Sequence, residues 1–327
     1  MDFLALRVFL TRRVPSPVHS ELDRLFDLRV HDSERPPDRS ELLASARGCS
    51  GLVTMLSDQV DEELLAAAGD GLRVVANYAV GYDNVDLDAA TRRGVIVANT
   101  PDVLTEATAE LAIALMLGLA RRVSEGDRFL RSGVRWDWAP TFMLGSSPRG
   151  RTLGIVGLGR IGGEVARLGR ELGMRVVYTS SGGPRPSPYE WLPLAELLEC
   201  SDIVSLHCPL LPETRHLIGR EELRAMRRDA FLVNTARGPI VDEDALVEGL
   251  VGGEIAGAAL DVFEHEPAVH EGLLGLDNVV LTPHLGSATH ETRTAMGMLC
   301  VSALKSVLLE GRVPENVVNR QVVSSLS

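Results

Sequence analysis

Residues 152–168 read TLGIVGLGRIGGEVARL, and the architecture of the second half of the chain follows from this stretch. An apolar run at 152–156 leads into Gly157-Leu158-Gly159-Arg160-Ile161-Gly162, and a helical pattern follows over residues 163–172. A glycine turn of this spacing between a strand and a helix is typical of a pyrophosphate cradle. The three glycines permit, in order, the tight turn, the approach of the backbone to the phosphates, and close packing of helix on strand. The helix N-terminus would face the phosphate charge, so the segment predicts a dinucleotide site. The alternative is a plain glycine-rich turn.

Strand and helix patterns alternate on both sides of this motif. Before it, short apolar runs lie at 6–10, 28–30, 51–55 and 72–76, with helical patterns at 20–26, 40–46 and 61–68. From the motif onward, strands are predicted at 152–156, 175–179, 203–206, 230–233, 257–261 and 279–281. Two series of this kind predict an α/β protein with two domains, each a parallel sheet wound with helices. A mostly apolar helix at 105–119, with Thr105 as a possible cap, should be buried, and the final helix at 295–309 should return to the first domain.

Composition excludes several classes of function. The net charge is −12, from 33 basic and 45 acidic residues, and no basic run of five or more residues offers a surface for nucleic acid. The four cysteines form no CxxC pair, so we expect free thiols and neither a disulfide framework nor a metal site. The longest apolar stretch, 111–120, is about half of the ~20 residues that a bilayer requires. The N-terminus has its charges in the wrong order for a secretory signal, which predicts a cytoplasmic protein without a membrane partner.

The end of the second strand of the dinucleotide unit bears on cofactor choice. An acidic residue there would hold the adenosine ribose 2′-hydroxyl of NAD, but residues 175–188 read RVVYTSSGGPRPSP and contain none. Ser180 and Ser181 could instead donate hydrogen bonds to a 2′-phosphate, and Arg185 could supply positive charge. The sequence therefore predicts a preference for NADPH over NADH. The alternative is that Arg185 is a solvated loop residue and both cofactors are used.

Three successive strands of the second series end in residues suited to the chemistry of a 2-oxo acid. The strand at 230–233 leads to Arg237, that at 257–261 to Glu266, and that at 279–281 to His284. Arginine matches a carboxylate with a bidentate fork, histidine is a proton donor near neutral pH, and a glutamate can hold the histidine in its charged form. Spacing alone does not distinguish His265 from His284 as the proton donor. It also leaves open the alternative that Glu266 is a solvated loop residue.

Several long motifs, in order from about residue 53 to residue 319, resemble the D-isomer-specific 2-hydroxyacid dehydrogenases. They are NYAVGYDNVDLDAATRRGVIVANTPDVLTEATAELA, GRTLGIVGLGRIGGEVA, VNTARGPIVDEDALVEGL, GAALDVFEHEP and LTPHLGSAT. Within that family, WDWAPTFMLG, YTSSGGPRP and PHLGSATHETR are most similar to the glyoxylate/hydroxypyruvate reductase branch. One departure concerns the cofactor: relatives that use NADP often carry an arginine immediately after the second strand, where this chain has Ser181.

The resemblance implies roles for individual residues. Arg237 would bind the substrate carboxylate, His284 would donate the proton in reduction, and Glu266 would pair with His284. The backbone at Val80 and Gly81 would also hold the carboxylate. Beyond the six residues of the glycine motif and the three of the ribose loop, we expect the cofactor to contact Thr108, Cys208, Pro209, Thr235, Ala236, Asp261 and Gly286. The implied reaction is reduction of glyoxylate or hydroxypyruvate to a D-2-hydroxy acid.

The resemblance also implies the domain order and the assembly. A flavodoxin-like substrate domain would occupy residues 1–101, completed by 287–327, and a Rossmann-type NAD(P) domain would occupy 102–286. We expect a homodimer, with Trp136 and Trp138 lining either the substrate cleft or the dimer interface. A corepressor-like sensor of NAD(H) is the main alternative from another class. Phosphoglycerate dehydrogenase is disfavoured by the length of the chain, and formate and phosphite dehydrogenases remain possible.

Overall fold

The computed structural model of the protein describes residues 6–324, without the side chains of residues 323 and 324. It divides into two compact units, unit 1 comprising Met1–Leu104 and Ala288–Ser327, and unit 2 comprising Thr105–Ser287. The outermost residues of the predicted substrate domain, 1–5 and 325–327, lie outside the described residues. Both units are parallel sheets wound with helices, as the alternating patterns predicted.

Unit 1 contains a five-stranded parallel sheet in the order β2-β1-β3-β4-β5, which is the flavodoxin-like order. Its elements are β1 (Arg7–Leu10), α1 (Ser16–Leu25), β2 (Asp27–Val30), α2 (Arg39–Ala46), β3 (Gly51–Thr54), α3 (Glu62–Ala68), β4 (Val74–Asn77), α4 (Leu87–Arg92) and β5 (Ile96–Ala98). Every residue of β3, β4 and β5 is buried because helices cover both faces. Three of the helices begin at aspartates whose carboxylates accept a hydrogen bond from the first turn, Asp38, Asp61 and Asp86.

Unit 2 contains a seven-stranded parallel sheet in the order β12-β11-β10-β9-β6-β7-β8. Its elements are α5 (Thr105–Ala120), α6 (Val123–Arg131), β6 (Thr152–Val156), α7 (Arg160–Glu171), β7 (Arg175–Thr179), β8 (Glu190–Trp191), α8 (Leu194–Cys200), β9 (Ile203–Leu206), α9 (Arg220–Ala225), β10 (Phe231–Asn234), α10 (Glu243–Val251), β11 (Gly257–Leu260), α11 (Glu271–Leu274) and β12 (Val279–Leu281). The strand order reverses at β6, so the glycine motif that follows β6 lies at the switch point where α/β sheets bind ligands.

Two helices after unit 2 complete unit 1, α12 (His290–Leu308) and α13 (Gln321–Ser324). Helix α12 packs against β4 and α1. The contact is close at Gly297, where an added Cβ would lie 2.4 Å from a Val18 methyl. Helix α12, which corresponds to the helix predicted at 295–309, therefore returns to the first series of strands, as expected from its position in the sequence.

Some predicted elements differ from the structure. Strands β5 and β8, which are 3 and 2 residues long, were not predicted. Helix α6 was also not among the predicted elements. Thr105 is the first residue of α5 rather than its cap. Within residues 6–324, no helix is both long and apolar enough to cross a membrane.

Candidate active site

Three neighbouring strands of unit 2 carry the residues that the sequence placed at one edge. Because β10, β11 and β12 are adjacent and parallel, the loops that follow them lie side by side. Arg237 lies three residues after β10, in a loop held by Asn234, whose Nδ2 donates to the Arg237 carbonyl at 2.9 Å. The Arg237 guanidinium donates to the Ala236 carbonyl at 2.8 Å. The positive charge of Arg237 also contributes to a lowered pKa of the Glu266 carboxyl.

Glu266 and His284 form a hydrogen-bonded pair. Nδ1 of His284 lies 2.9 Å from Oε2 of Glu266, and the other carboxylate oxygen accepts the Phe263 amide at 3.0 Å. Both side chains are about one-third exposed, at 32% and 36%. Since the carboxylate is an acceptor, Nδ1 carries the proton and Nε2 is the ring atom open to a ligand. His265, the competing histidine, is exposed, and the structure brings His284 to Glu266 instead.

The pKa of the Glu266 carboxyl is shifted by opposing effects. Burial raises it, but the hydrogen bond and the charge of His284, the Phe263 amide and the charge of Arg237 together outweigh burial and leave the pKa below its ordinary value. Glu266 is therefore ionised at neutral pH. The ionised Glu266 accepts a hydrogen bond from Nδ1 of His284 and so orients the imidazole.

The backbone of His284 is held in an unusual conformation. Its φ is +55°, in the left-handed region that residues other than glycine rarely adopt. Asp261 maintains this turn: its buried carboxylate accepts hydrogen bonds from the Thr282 hydroxyl at 2.6 Å and from the amides of Leu285 and Gly286 at 2.7 and 2.8 Å. The His284 amide donates to the Asp261 carbonyl at 2.9 Å. Strain of this kind persists only where the surroundings enforce it, and here it directs the imidazole toward Glu266.

The glycine motif adopts the turn that a dinucleotide requires. Gly157 has a φ of +97°, and an added Cβ would lie 2.7 Å from the Cys208 nitrogen, so only glycine fits there. An added Cβ on Gly162 would lie 2.1 Å from the Gly157 carbonyl oxygen, whereas Gly159 faces open space. The 12-residue helix α7 begins at Arg160, and the amides of its first turn have no partner within the helix. The motif thus offers backbone donors to an anion at a helix N-terminus.

The loop after β7 holds the residues expected at the adenosine ribose. The Ser180 hydroxyl donates to the Gly183 carbonyl at 2.8 Å, so its proton is engaged within the loop, whereas Ser181 and Arg185 are exposed. Tyr178 anchors the loop, because its buried hydroxyl accepts from the Arg185 amide at 2.7 Å and donates to the Arg185 carbonyl at 3.0 Å. Of the predicted phosphate donors, Ser181 and Arg185 therefore remain available.

Several other residues expected at the cofactor lie at the same edge of the sheet. Gly286 is buried, and an added Cβ there would lie 3.4 Å from both Thr108 and Asp261, which groups these three residues. The Thr235 hydroxyl is buried without a hydrogen-bond partner among the described residues. A buried hydroxyl without a partner is expected where a bound ligand supplies the missing hydrogen bond.

The remaining predicted contacts are backbone features of two loops. Cys208 abuts Gly157, and burial raises the pKa of its thiol to about 11, so the thiol stays neutral. The Pro209 carbonyl accepts the Thr214 hydroxyl at 2.7 Å, and the Ala236 amide donates to Asn234 Oδ1 at 3.0 Å. These contacts fix the loops after β9 and β10.

In unit 1, hydrogen bonds to three successive carbonyls fix the backbone at Val80 and Gly81. The carbonyls of Ala79, Val80 and Gly81 accept hydrogen bonds from the Thr100 amide (2.8 Å) and from the side-chain amides of Asn99 (2.8 Å) and Asn77 (2.9 Å). In a trans peptide the N–H points opposite to the carbonyl, so the next three amides face the other way. Successive amides of this kind bind anions. Sequence reasoning missed Asn77 and Asn99, although each lies at the end of a strand.

A Rossmann-type sheet with a glycine loop at its switch point defines a dinucleotide-binding oxidoreductase fold. The protein-family model described as D-isomer specific 2-hydroxyacid dehydrogenase, NAD binding domain, matches residues 113–286 of this chain. The glyoxylate reductase of Korarchaeum cryptofilum is 48% identical over 324 residues, which covers 97% of both chains. The chain belongs to the D-isomer-specific 2-hydroxyacid dehydrogenase family and is an NAD(P)-dependent oxidoreductase.

Solved structures agree with this assignment. A protein of Thermus thermophilus matches with a TM-score of 0.90 and 47% identity, covering 95% of this chain and 99% of that one. An NADPH-dependent glyoxylate/hydroxypyruvate reductase of Sinorhizobium meliloti, solved with NADP and malonate, matches with a TM-score of 0.84 and 35% identity. That match covers 95% of this chain and 96% of the other. The predicted family and fold class are therefore confirmed.

Proposed function

We propose that this chain reduces a small 2-oxo acid, glyoxylate or hydroxypyruvate, to the D-2-hydroxy acid. The observation that carries the proposal is the pairing of His284 with an ionised Glu266 beside Arg237, which supplies a proton donor and a carboxylate partner at one edge of the sheet. The names of the Korarchaeum and Sinorhizobium proteins support this choice of substrate.

In the proposed reaction, each residue acts on a different part of the substrate. Arg237 binds the carboxylate and polarises the carbonyl, because its planar fork matches a carboxylate. His284 gives a proton from Nε2 to the carbonyl oxygen as negative charge develops there, and Glu266 stabilises the imidazolium before transfer. The resemblance to the family also implies that the backbone at Val80 and Gly81 holds the carboxylate. In oxidation of the hydroxy acid, His284 takes the proton back.

The cofactor would be held by the glycine motif, Thr235 and the residues grouped at Gly286. When bound, the reduced nicotinamide supplies the hydride that the carbonyl carbon accepts. We propose a preference for NADPH, because the loop after β7 carries no acid at 175–188 and presents Ser181 and Arg185. Arg185 has no acidic partner among the described residues, so its charge remains available to a 2′-phosphate.

We also propose that the protein is a homodimer. Helix α6 contains no buried residue, and the stretch from α6 to residue 144 exposes large apolar side chains: Val123, Leu130, Val134, Trp138 and Leu144. Within this segment Trp136 stacks on Phe142 with a ring-centroid distance of 6.0 Å. A patch of this kind indicates a protein interface, and a second copy is the proposed occupant. The cytoplasmic location stays a prediction.

The proton-donor role is tested by replacing His284 with asparagine. The amide keeps similar size and hydrogen-bonding capacity but cannot deliver a proton at neutral pH. We expect kcat for glyoxylate to fall by roughly 10²–10⁴-fold, while the dissociation constant of the dinucleotide stays unchanged. A variant that keeps more than about a tenth of the wild-type kcat would contradict the assignment. Dinucleotide binding without turnover of any 2-oxo acid by the wild type would favour the sensor alternative.

A further inference from the structure

The loop that presents Glu266 is fixed from outside by a second glutamate. This loop, residues 263–266, follows β11, and the Glu264 amide donates to Oε1 of Glu243 at 2.7 Å. Glu243 is the first residue of α10, 21 positions away in sequence, and is 5% exposed. The hydrogen bond thus joins the start of a helix to the backbone two residues before Glu266.

Glu243 occupies an unfavourable place for a carboxylate. Burial is the largest effect on its carboxyl and raises the pKa; the hydrogen bond from the Glu264 amide opposes it, the Glu264 carboxylate raises the pKa further, and His270 and His265 lower it slightly. Its neighbours Asp242 and Asp244 already supply negative charge to the first turn of α10, and Asp242 caps the helix through the Ala245 amide at 3.0 Å. Helix capping therefore does not account for a buried acid at position 243.

Among the described residues, the Glu264 amide is the only backbone donor of this loop that bonds to a side chain of α10. The Glu264 side chain accepts a hydrogen bond from His216 at 2.6 Å, and Arg215 lies 3.4 Å from the same oxygen. On its inner side the loop abuts Gly238, next to Arg237. Movement of the loop would therefore change the position of Glu266 relative to both His284 and Arg237.

We propose that Glu243 is a positioning residue for catalysis, acting by holding the 263–266 loop so that Glu266 faces His284. The inference rests on the proposed role of the Glu266–His284 pair. Glu243 acts as a hydrogen-bond acceptor, so the neutral amide of glutamine can replace it, whereas a side chain without an acceptor cannot. The unpaired Glu264 amide would then seek water, and the loop would open.

The test compares Glu243→Gln with Glu243→Leu, using Asp244→Asn as a control that removes a charge from the same helix turn at an exposed position. We expect Glu243→Gln and Asp244→Asn to stay within about twofold of the wild-type kcat, and Glu243→Leu to lose roughly tenfold. In Glu243→Leu, the loss should appear in kcat, because the loop no longer holds Glu266 against His284. Its dinucleotide dissociation constant should not change.

Amide hydrogen exchange of residues 263–266 gives a readout that does not depend on turnover. Faster exchange of this segment in Glu243→Leu, but not in Glu243→Gln, is expected. Unchanged exchange and an unchanged kcat in the leucine variant, or equal losses in both variants, would overturn the proposal. Glu266→Gln is measured alongside: if it retains full activity, the proposed pair itself is wrong, whereas a loss in Glu266→Gln without one in Glu243→Leu rejects only the role of Glu243.

Discussion

Replacement of Gly238 by alanine should separate catalysis from cofactor binding. Gly238 follows Arg237 directly and lies against the backbone of the Glu266 loop. An added Cβ would lie 1.9 Å from the Phe263 carbonyl carbon, 2.0 Å from its oxygen and 2.4 Å from the Glu264 nitrogen. Cβ atoms in proteins stay at least 3.0 Å from such atoms, so the two segments must move apart by about 1 Å. Since all three atoms are backbone, no rotation of a side chain relieves the clash.

A displacement of this size should be costly for chemistry. It separates Arg237 from Glu266 and His284, and a misplacement of about 1 Å at an active site costs on the order of 10²-fold in rate. We expect kcat/KM for glyoxylate to fall roughly 100-fold. The free energy of unfolding should fall by about 1–3 kcal/mol, as for other overpacked sites. The glycine motif is untouched, so the dinucleotide dissociation constant should stay within about threefold of wild type.

The assay is steady-state oxidation of the reduced cofactor with glyoxylate, with dinucleotide binding measured separately by calorimetry. Gly275→Ala is the matched control, because Gly275 ends α11 with a φ of −90° and nothing lies within 4 Å of an added Cβ. This control should behave as the wild type. A Gly238→Ala enzyme with less than a threefold loss in kcat/KM, or one that loses cofactor binding in parallel, would show that the clash does not act on the catalytic loop.

Three further perturbations concern other parts of the molecule. Burial lowers the pKa of His207 to about 4. The free energy of unfolding should therefore decline by up to about 3 kcal/mol as pH falls from 6.5 to 4. Urea titrations should show a weaker decline in His207→Asn. Thr235→Val removes a buried hydroxyl without a partner among the described residues, so thermal unfolding should show a free protein at least as stable as wild type, while calorimetry shows weaker dinucleotide binding. Arg185→Ala should raise KM for NADPH but leave KM for NADH unchanged, and equal changes would count against a 2′-phosphate contact.

The sign of the pH dependence of the free energy of unfolding follows from the lowered pKa of His207. A histidine whose folded pKa lies below its unfolded value binds fewer protons in the native state between the two values. Stability is therefore complete above the unfolded value and is lost as pH falls toward the folded value. The hydrogen bond between Ser205 Oγ and His207 Nε2, at 2.8 Å, is compatible with the neutral ring.

Local pattern was sufficient to predict much of the fold. Four strands of unit 2, β6, β7, β9 and β12, have the predicted bounds, because each contains a short, mostly apolar run between turn residues. Helix α6 could not be predicted in this way. It has no buried residue, so its sequence does not differ from that of a solvated segment. Strand β8 exists only through its pairing with β7.

The candidate site was less accessible to sequence reasoning. Residue type and position at strand ends located Arg237, Glu266 and His284, but spacing alone could not choose between His265 and His284. That distinction depends on the turn held by Asp261, which forms only when β11 and β12 pair. The contact of Glu243 with the Glu264 amide also joins distant parts of the chain, and no local pattern marks it.

The proposed reaction is tested most simply by a steady-state assay that offers glyoxylate, hydroxypyruvate and pyruvate, each with NADPH and with NADH, to the wild type and to Arg237→Ala. We expect turnover of glyoxylate or hydroxypyruvate in preference to pyruvate, faster with NADPH at equal concentration. In the variant, kcat/KM should fall by at least about 100-fold, since the carboxylate loses a charge-assisted bidentate contact. Measurable dinucleotide binding with no turnover of any of the three acids, or full activity in Arg237→Ala, would contradict the proposed function.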